Sequence, residues 1–333
     1  MSNYIIISSI LINFPIIFFF NFLEKNINLF DQPDKIRKFQ KKPIALYGGL
    51  ILIYNLLIFY ILNISSNLNL YSEIYFSNSR EYFSFFFGLS LCFIIGLLDD
   101  KHNISANTKL ISNSIIIFIV LIIDENLIIR ELSFSFLDAP IELKKFSLFF
   151  TLLCILLFLN AINMFDGINL QCSIYCLIIF IIFFYKNVFS NLSLVFIISL
   201  IFFIYLNSKN KTYLGDSGAQ ILGFVISFFF IKSYNLESTF TCDEIFIIMM
   251  LPGIDMFRLF LERLSNGFNP FRADNRHIHH LLINKIGYFK TLILLQGIII
   301  SQIFFYGLFN NNLIIIILFL ILYNLLIFRF SKK

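Results

Sequence analysis

Four short polar clusters hold most of the acid–base and anion-binding chemistry in this sequence. They are Asp99-Asp100, the run from Asn160 to Gly167, Leu214-Gly215-Asp216-Ser217-Gly218, and the run from Asp274 to His280. Each falls where an apolar stretch ends. Two adjacent carboxylates raise one another's proton affinity and can supply a base. Asp99 and Asp100 would also oppose the dipole of a helix ending there, so helix stability does not explain them. Lys109 can meet a phosphate, neutralise the pair, or simply snorkel to the membrane surface. Asn160, Asn163 and Asp166 are spaced i, i+3, i+6 and form one stripe if the helix continues. An Asp facing mid-bilayer costs about 2.5–3.5 kcal/mol, so the stripe is expected to face a cavity. Gly167 then permits a break and close approach by a ligand, with Asn169 just beyond. Gly215 to Gly218, set before a helix, offers backbone N–H groups to a phosphate and Asp216 to Mg2+. The same residues also make a plain turn and N-cap.

Three of the four histidines, His277, His279 and His280, share one loop with Arg272 and Arg276. Zinc would call for more His or Cys ligands at suitable spacing, and none lies nearby. Imidazoles beside guanidiniums suit a diphosphate better. Asp255 and Arg258, at i, i+3 after Pro252-Gly253, are expected to face the bundle interior, in a structural role or lining a groove. Gly48-Gly49 at a helix start implies close backbone packing.

These clusters need a scaffold, and composition says which kind. Of 333 residues, 59% are hydrophobic and mean hydropathy is +0.85. A soluble domain is about 45–50% apolar. The sequence therefore reads as an all-α polytopic membrane protein. Apolar runs near the roughly 20 residues needed for a span lie at about 4–22, 44–63, 82–98, 109–123, 146–163, 168–185, 191–207, 218–232, 243–261, 290–308 and 312–330. About eleven transmembrane helices are expected. The first run lacks a basic leader and a small-residue cleavage site, so it reads as a retained helix. With the N-terminus outside and the C-terminus inside, 19 of the 25 Lys and Arg fall on inner segments, as the positive-inside rule requires. All four clusters then share the inner face. Residues 127–143 alternate and turn at Asp138-Ala139-Pro140, which predicts a small outer β-hairpin. The five cysteines form no C-x-x-C and read as small hydrophobes.

In this order, the segments resemble the bacterial polyprenyl-phosphate N-acetylhexosamine-1-phosphate transferases over nearly the whole chain. Asp31-Gln32-Pro33 through Arg37-Lys38 to Gly48-Gly49 looks like that family's first inner loop, and Asp99-Asp100 like its aspartate pair. Asn160 to Gly167 matches N-x-x-N-x-x-D-G, Lys211 to Gly218 resembles its G-D-x-G segment, and Pro252, Asp255 and Arg263 to His280 its last loop, ending in H-x-H-H. Gln40 stands where the family usually has His, in a loop one residue longer. Ala45 replaces a second Pro, Asn169 an Asp, and Leu170 a Gly. The H-x-H-H version is less like the branch that transfers phospho-muramoyl-pentapeptide, which carries three consecutive histidines.

The resemblance implies a single integral membrane transferase domain over residues 1–333 in a bacterial inner membrane, working at the cytoplasmic face. It implies transfer from a UDP-N-acetylhexosamine to polyprenyl phosphate, with Mg2+, or Mn2+ in its place. Asp99, Asp100, Asp166, His279 and His280 are then expected to be catalytic. Lys109, Asn160, Asn163, Asn169, Arg272 and His277 are expected to bind substrate, and Asp216 with Asp100 to hold the metal. The resemblance is compatible with a homodimer and implies no nucleic-acid partner. A transporter of an anionic solute is the competing class. It would place ionisable groups near the midplane and often carry internal repeats, whereas here the polar groups end the spans and no repeat is evident. An intramembrane metalloprotease would need ligand spacing that is missing.

Overall fold

The computed structural model describes residues 2–18, 20, 27–33, 42–65, 75–268, 270, 275–309 and 311–331. Its helices are α1 (Ser2–Phe18), α2 (Gly48–Ser65), α3 (Ser79–His102), α4 (Ala106–Ile123), α5 (Ser147–Phe165), α6 (Gln171–Tyr185), α7 (Ser190–Ser208), α8 (Gly215–Glu237), α9 (Cys242–Ser265), α10 (Ile278–Ile286), α11 (Tyr288–Leu308) and α12 (Asn312–Ser331). Each of the eleven apolar runs overlaps one of these helices along its described residues, and α10 is the addition. Among the described residues, however, seven helices are long and apolar enough to cross a membrane: α3, α4, α5, α7, α8, α11 and α12. Gly48–Ile61 and Gln171–Tyr185 are shorter apolar helices. Of the eleven or so spans expected, seven therefore meet this length-and-composition test among the described residues and the rest fall short of it. One physical reason is plain in α9, which carries Asp243, Glu244, Asp255, Arg258, Glu262 and Arg263 in one helix.

Two short antiparallel pairs accompany the helices. β3 (Glu131–Leu132) pairs with β4 (Ile141–Glu142), inside the stretch read as a hairpin. β1 (Phe30–Asp31) pairs with β2 (Ile44–Ala45), which the sequence did not announce. The end of β2 continues onto the loop before α8: Tyr213 N–H donates to Ala45 O at 2.8 Å and Gly48 N–H to Tyr213 O at 3.1 Å. Thr212 Oγ1 donates to Ala45 O at 3.0 Å and accepts from Tyr47 N–H at 3.0 Å. This tie carries the start of α2 to the start of α8.

Helix α8 is the axis of the fold, with nearly all of its side chains buried from Gly215 to Tyr234. It packs chiefly on α3 and α5, then α2. Glycines set those distances. A Cβ at Gly96 or Gly49 would overlap Ser217, and one at Gly48 would overlap the Leu214 backbone. Small residues let membrane helices approach this closely, as the Gly48-Gly49 pair predicts. Polar pairs fix register elsewhere. Asn13 of α1 and Asn55 of α2 exchange amide hydrogen bonds at 2.6 and 3.0 Å.

The bundle α3–α4–α8 is closed at both ends by one lysine between two carboxylates. At one end Lys109 of α4 bridges Asp99 of α3 and Asp216 of α8. At the other Lys232 of α8 bridges Glu81 of α3, at 2.7 Å, and Asp124 beyond α4, at 2.9 Å. Lys232 and Asp124 side chains are 0% exposed, so the second knot is dry and the first is open to a ligand.

Candidate active site

Asp99 and Asp100 occupy the last turn of α3 and point to different partners. Asp100 caps another helix: its Oδ1 accepts Asp216 N–H at 2.7 Å and its Oδ2 accepts Ser217 N–H at 3.0 Å. Leu214 supplies no side-chain cap for α8, so the carboxylate from α3 does that work at the positive end of the α8 dipole. Gly215, at φ +74°, turns the chain beneath it, and a Cβ there would sit 2.9 Å from Asp100 Oδ2. Two of the N–H groups that Gly215 to Gly218 offers to a phosphate, those of Asp216 and Ser217, are thus taken by Asp100. Asp99 instead meets Lys109, with Nζ 2.7 Å from Oδ2, and the same ammonium pairs with Asp216. Lys109 therefore neutralises carboxylates.

Asp166 ends α5, its N–H donating to Ile162 O at 3.1 Å. Its carboxylate makes no hydrogen bond or ion pair among the described residues. Burial, then the charges of Asp216 and Asp100, push its pKa up to about 8. The other members of the stripe are less engaged. Asn160 Nδ2 turns back to Leu156 O at 2.7 Å, and the Asn163 side chain makes no hydrogen bond among the described residues. Asn169 goes to Asn210 instead, at 2.6 Å, and its carbonyl accepts from Tyr288 at 2.9 Å. Leu170 adopts φ +68°, which accounts physically for glycine at that position in the resembling family. Its N–H is held by Asn207 Oδ1 at 2.8 Å.

The histidine loop reaches this cluster through Gly167. His279 is buried, and its imidazole lies so close over Gly167 that a Cβ there would overlap the ring. Neither ring nitrogen has a partner among the described residues. Burial, then His280 and His277, hold its pKa well below the ordinary value, so the ring is neutral and presents one N–H and one lone pair. The ring stacks parallel on His277 with centroids 5.5 Å apart, and His280 lies 4.3 Å away. Arg272 lies outside the described residues. Arg263, almost fully buried, braces the loop by donating to Pro270 O at 2.7 Å.

The structure thus gathers Asp99, Asp100, Lys109, Asp166 and Asp216, and joins them through Gly167 to His277, His279 and His280. Asn169 is drawn towards Asn210, and Asn160 back on its own helix. Sequence reasoning left Asp255 open and missed Tyr323. Asp255 holds His277, Arg258 and Tyr323 together. A Tyr in an apolar run gives no spacing signal, so Tyr323 was not visible.

Would these residues suit a divalent cation? Among the described residues four carboxylates gather about one ammonium, Lys109, and Asp166 has no cation beside it. The donors are hard oxygens, which suit Mg2+, although no three of them are grouped as a ready metal site among the described residues.

Residues 82–234, which include Asp99 through Asp216, match the family described as glycosyl transferase family 4. Over 297 residues the chain is 25% identical to the undecaprenyl-phosphate alpha-N-acetylglucosaminyl 1-phosphate transferase of Escherichia coli (strain K12), covering 84% of this chain and 75% of that protein. The protein of the same name from Yersinia pestis is 27% identical over 208 residues, covering 58% and 56%. The matched segment, a little under half of the chain, holds all five members of the carboxylate–lysine cluster.

Proposed function

We propose that this protein transfers N-acetylhexosamine 1-phosphate from a UDP-sugar to a polyprenyl phosphate at the cytoplasmic face of a bacterial inner membrane. The observation that carries the reading is the joining of a carboxylate–lysine cluster to a histidine cluster through Gly167, at one end of an apolar bundle. The names of the relatives supply the acceptor and the sugar phosphate. In the reaction a lipid phosphate oxygen attacks the β-phosphorus of the nucleotide sugar. The bond from that phosphorus to the bridging oxygen breaks, and UMP leaves. Two anions must be brought into line, so positioning and charge neutralisation are the main demands.

Asp216 and Asp100 would hold Mg2+, with Mn2+ as a substitute, and the ion would supply positive charge to the diphosphate. Asp99, fixed by Lys109, keeps Asp216 in place. Among the described residues Asp166 is the carboxylate with neither a cation nor a donor, so it is assigned as proton acceptor and orienting group for the lipid phosphate. His277, His280 and Arg272 meet the donor diphosphate. His279, being neutral, contributes an N–H rather than a charge. Asn160, Asn163 and Asn169 line the nucleotide side. The charged groups lie at helix ends, the arrangement expected of a surface transfer site rather than a midplane transport site.

The test uses purified protein in undecaprenyl-phosphate liposomes. Labelled UMP should exchange into UDP-N-acetylglucosamine or another UDP-N-acetylhexosamine only when lipid phosphate and Mg2+ are present. Exchange that needs neither, or none with any donor tried, rejects the reading.

A further inference from the structure

Asp255 lies on α9, outside the carboxylate cluster, and has no part in the transfer outlined above. Its side chain is 4% exposed and receives four donors. Oδ2 faces His277 Nδ1 at 2.8 Å. Oδ1 accepts from Ile278 N–H at 3.1 Å, the Tyr323 hydroxyl at 2.8 Å and Arg258 at 2.9 Å. Arg258 is itself fixed, donating to Arg276 O at 2.8 Å, to Glu262 at 2.7 Å and to Tyr323 at 2.7 Å. Three elements, α9, α10 and α12, therefore converge on one carboxylate.

An ionised carboxylate only accepts, so the shared proton belongs to Nδ1 of His277. The remaining nitrogen, Nε2, makes no hydrogen bond among the described residues. Its ring lies parallel to that of His279, which rests on Gly167. His277 is thus held in rotation and in proton placement through Nδ1, which leaves Nε2 without a hydrogen bond among the described residues. This arrangement orients an imidazole for work at its other nitrogen.

We propose that Asp255 is a positioning residue for donor binding: it holds His277 through Nδ1 and offsets the ring's positive charge when Nε2–H donates to a phosphate oxygen of the nucleotide diphosphate. The inference rests on the assignment of His277 to the donor diphosphate made above. Tyr323 and Arg258 serve it by keeping Oδ1 occupied, which leaves Oδ2 for the ring.

Two readouts test it. The first does not use activity. In the full-length protein in lipid nanodiscs with 15N-labelled histidine, His277 is assigned by loss of its signals in His277→Gln. Its Nδ1 should carry a proton in the wild type. In Asp255→Asn, whose amide can donate, the Nδ1 proton should be lost. A wild-type ring with bare Nδ1 overturns the positioning role whatever the substrate is. The second readout is kinetic. Asp255→Asn should raise KM for UDP-N-acetylglucosamine about tenfold or more, as for loss of one charge-assisted bond, with a smaller change in kcat. In a His277→Ala background the same substitution should add little, because the two act as a unit. Additive effects overturn the proposal. Unchanged KM for His277→Ala, with the expected wild-type ring, shows instead that the donor-binding assignment has failed. If Asp255→Asn does not fold, Tyr323→Phe serves: it leaves the Oδ2 acceptor in place, so Nδ1 of His277 should keep its proton, and a bare Nδ1 there also overturns the proposal.

Discussion

In the proposed reaction Asp166 is the residue on which the chemistry turns. It shares the surroundings of Asp100 and Asp216, yet has neither the backbone donors of the one nor the ammonium of the other. Burial first, then the charges of Asp216 and Asp100, raise its proton affinity, to a pKa of about 8. The sign of the consequence follows from linkage. A carboxyl whose folded pKa lies above its unfolded one binds its proton more tightly when folded, so that contribution to stability is full below the unfolded pKa, about 3.9, and is lost as pH rises through about 8. Metal-free protein should therefore lose thermal stability across that range, and Asp166→Asn should flatten the decline. A thermal melt series with EDTA measures it. The same substitution should lower kcat by roughly 10²-fold or more and remove the acidic limb of the wild-type kcat profile. Retention of that limb would take the proton-acceptor role away from Asp166.

At the scale of elements, the fold uses polar groups as long-range fasteners, and these are what the sequence hid. The apolar runs, the helix ends and the close-packing glycines were legible because each is written in local spacing. That Lys109 meets an aspartate 107 positions away, or that Asp100 caps a helix 116 positions on, is decided by which helices pack together. The knot at the opposite end was equally hidden. Lys232 looked like one of a few outer cations, but it is buried between Glu81 and Asp124. Removing one partner of a buried pair typically costs about 3–5 kcal/mol. Lys232→Met leaves two carboxylates facing each other, so it should lower the melting midpoint in detergent sharply. The triple change with Glu81→Gln and Asp124→Asn should recover most of the loss. The reverse effect is expected at Leu170, where a bulky residue occupies φ +68°. Strain of this kind costs of order 1–3 kcal/mol, so Leu170→Gly should raise stability by about 1 kcal/mol, net of the greater freedom of an unfolded glycine. A lower midpoint for Leu170→Gly would mean that side-chain packing outweighs the strain.

For the whole molecule, the two lysine knots give the bundle a polarity. One end joins Asp99, Asp100, Lys109 and Asp216 to the histidine loop. The other holds Glu81, Asp124 and Lys232, with Asp243 clamping Ser135 near the β3–β4 pair at 2.6 Å. If all eleven apolar runs span, 19 of 25 basic residues fall on the side of the first end, and the positive-inside rule then predicts that this end faces the cytoplasm. The structure contains no membrane, so this orientation is a separate prediction. Single cysteines placed in a background lacking the native five should decide it. Lys101 and Lys211 are exposed and lie at the end that holds Asp99 and Asp216. Asp138 and Lys145 are exposed and lie near the β3–β4 pair. In intact cells an impermeant maleimide should label positions 138 and 145 and spare 101 and 211 until the membrane is opened. UDP-sugars are made in the cytoplasm and carry charge that bars passive crossing, so the donor site of the proposed reaction is expected to face them. Labelling of position 211 from outside would place the carboxylate cluster on the wrong side for that donor and would sink the proposed reaction together with the orientation.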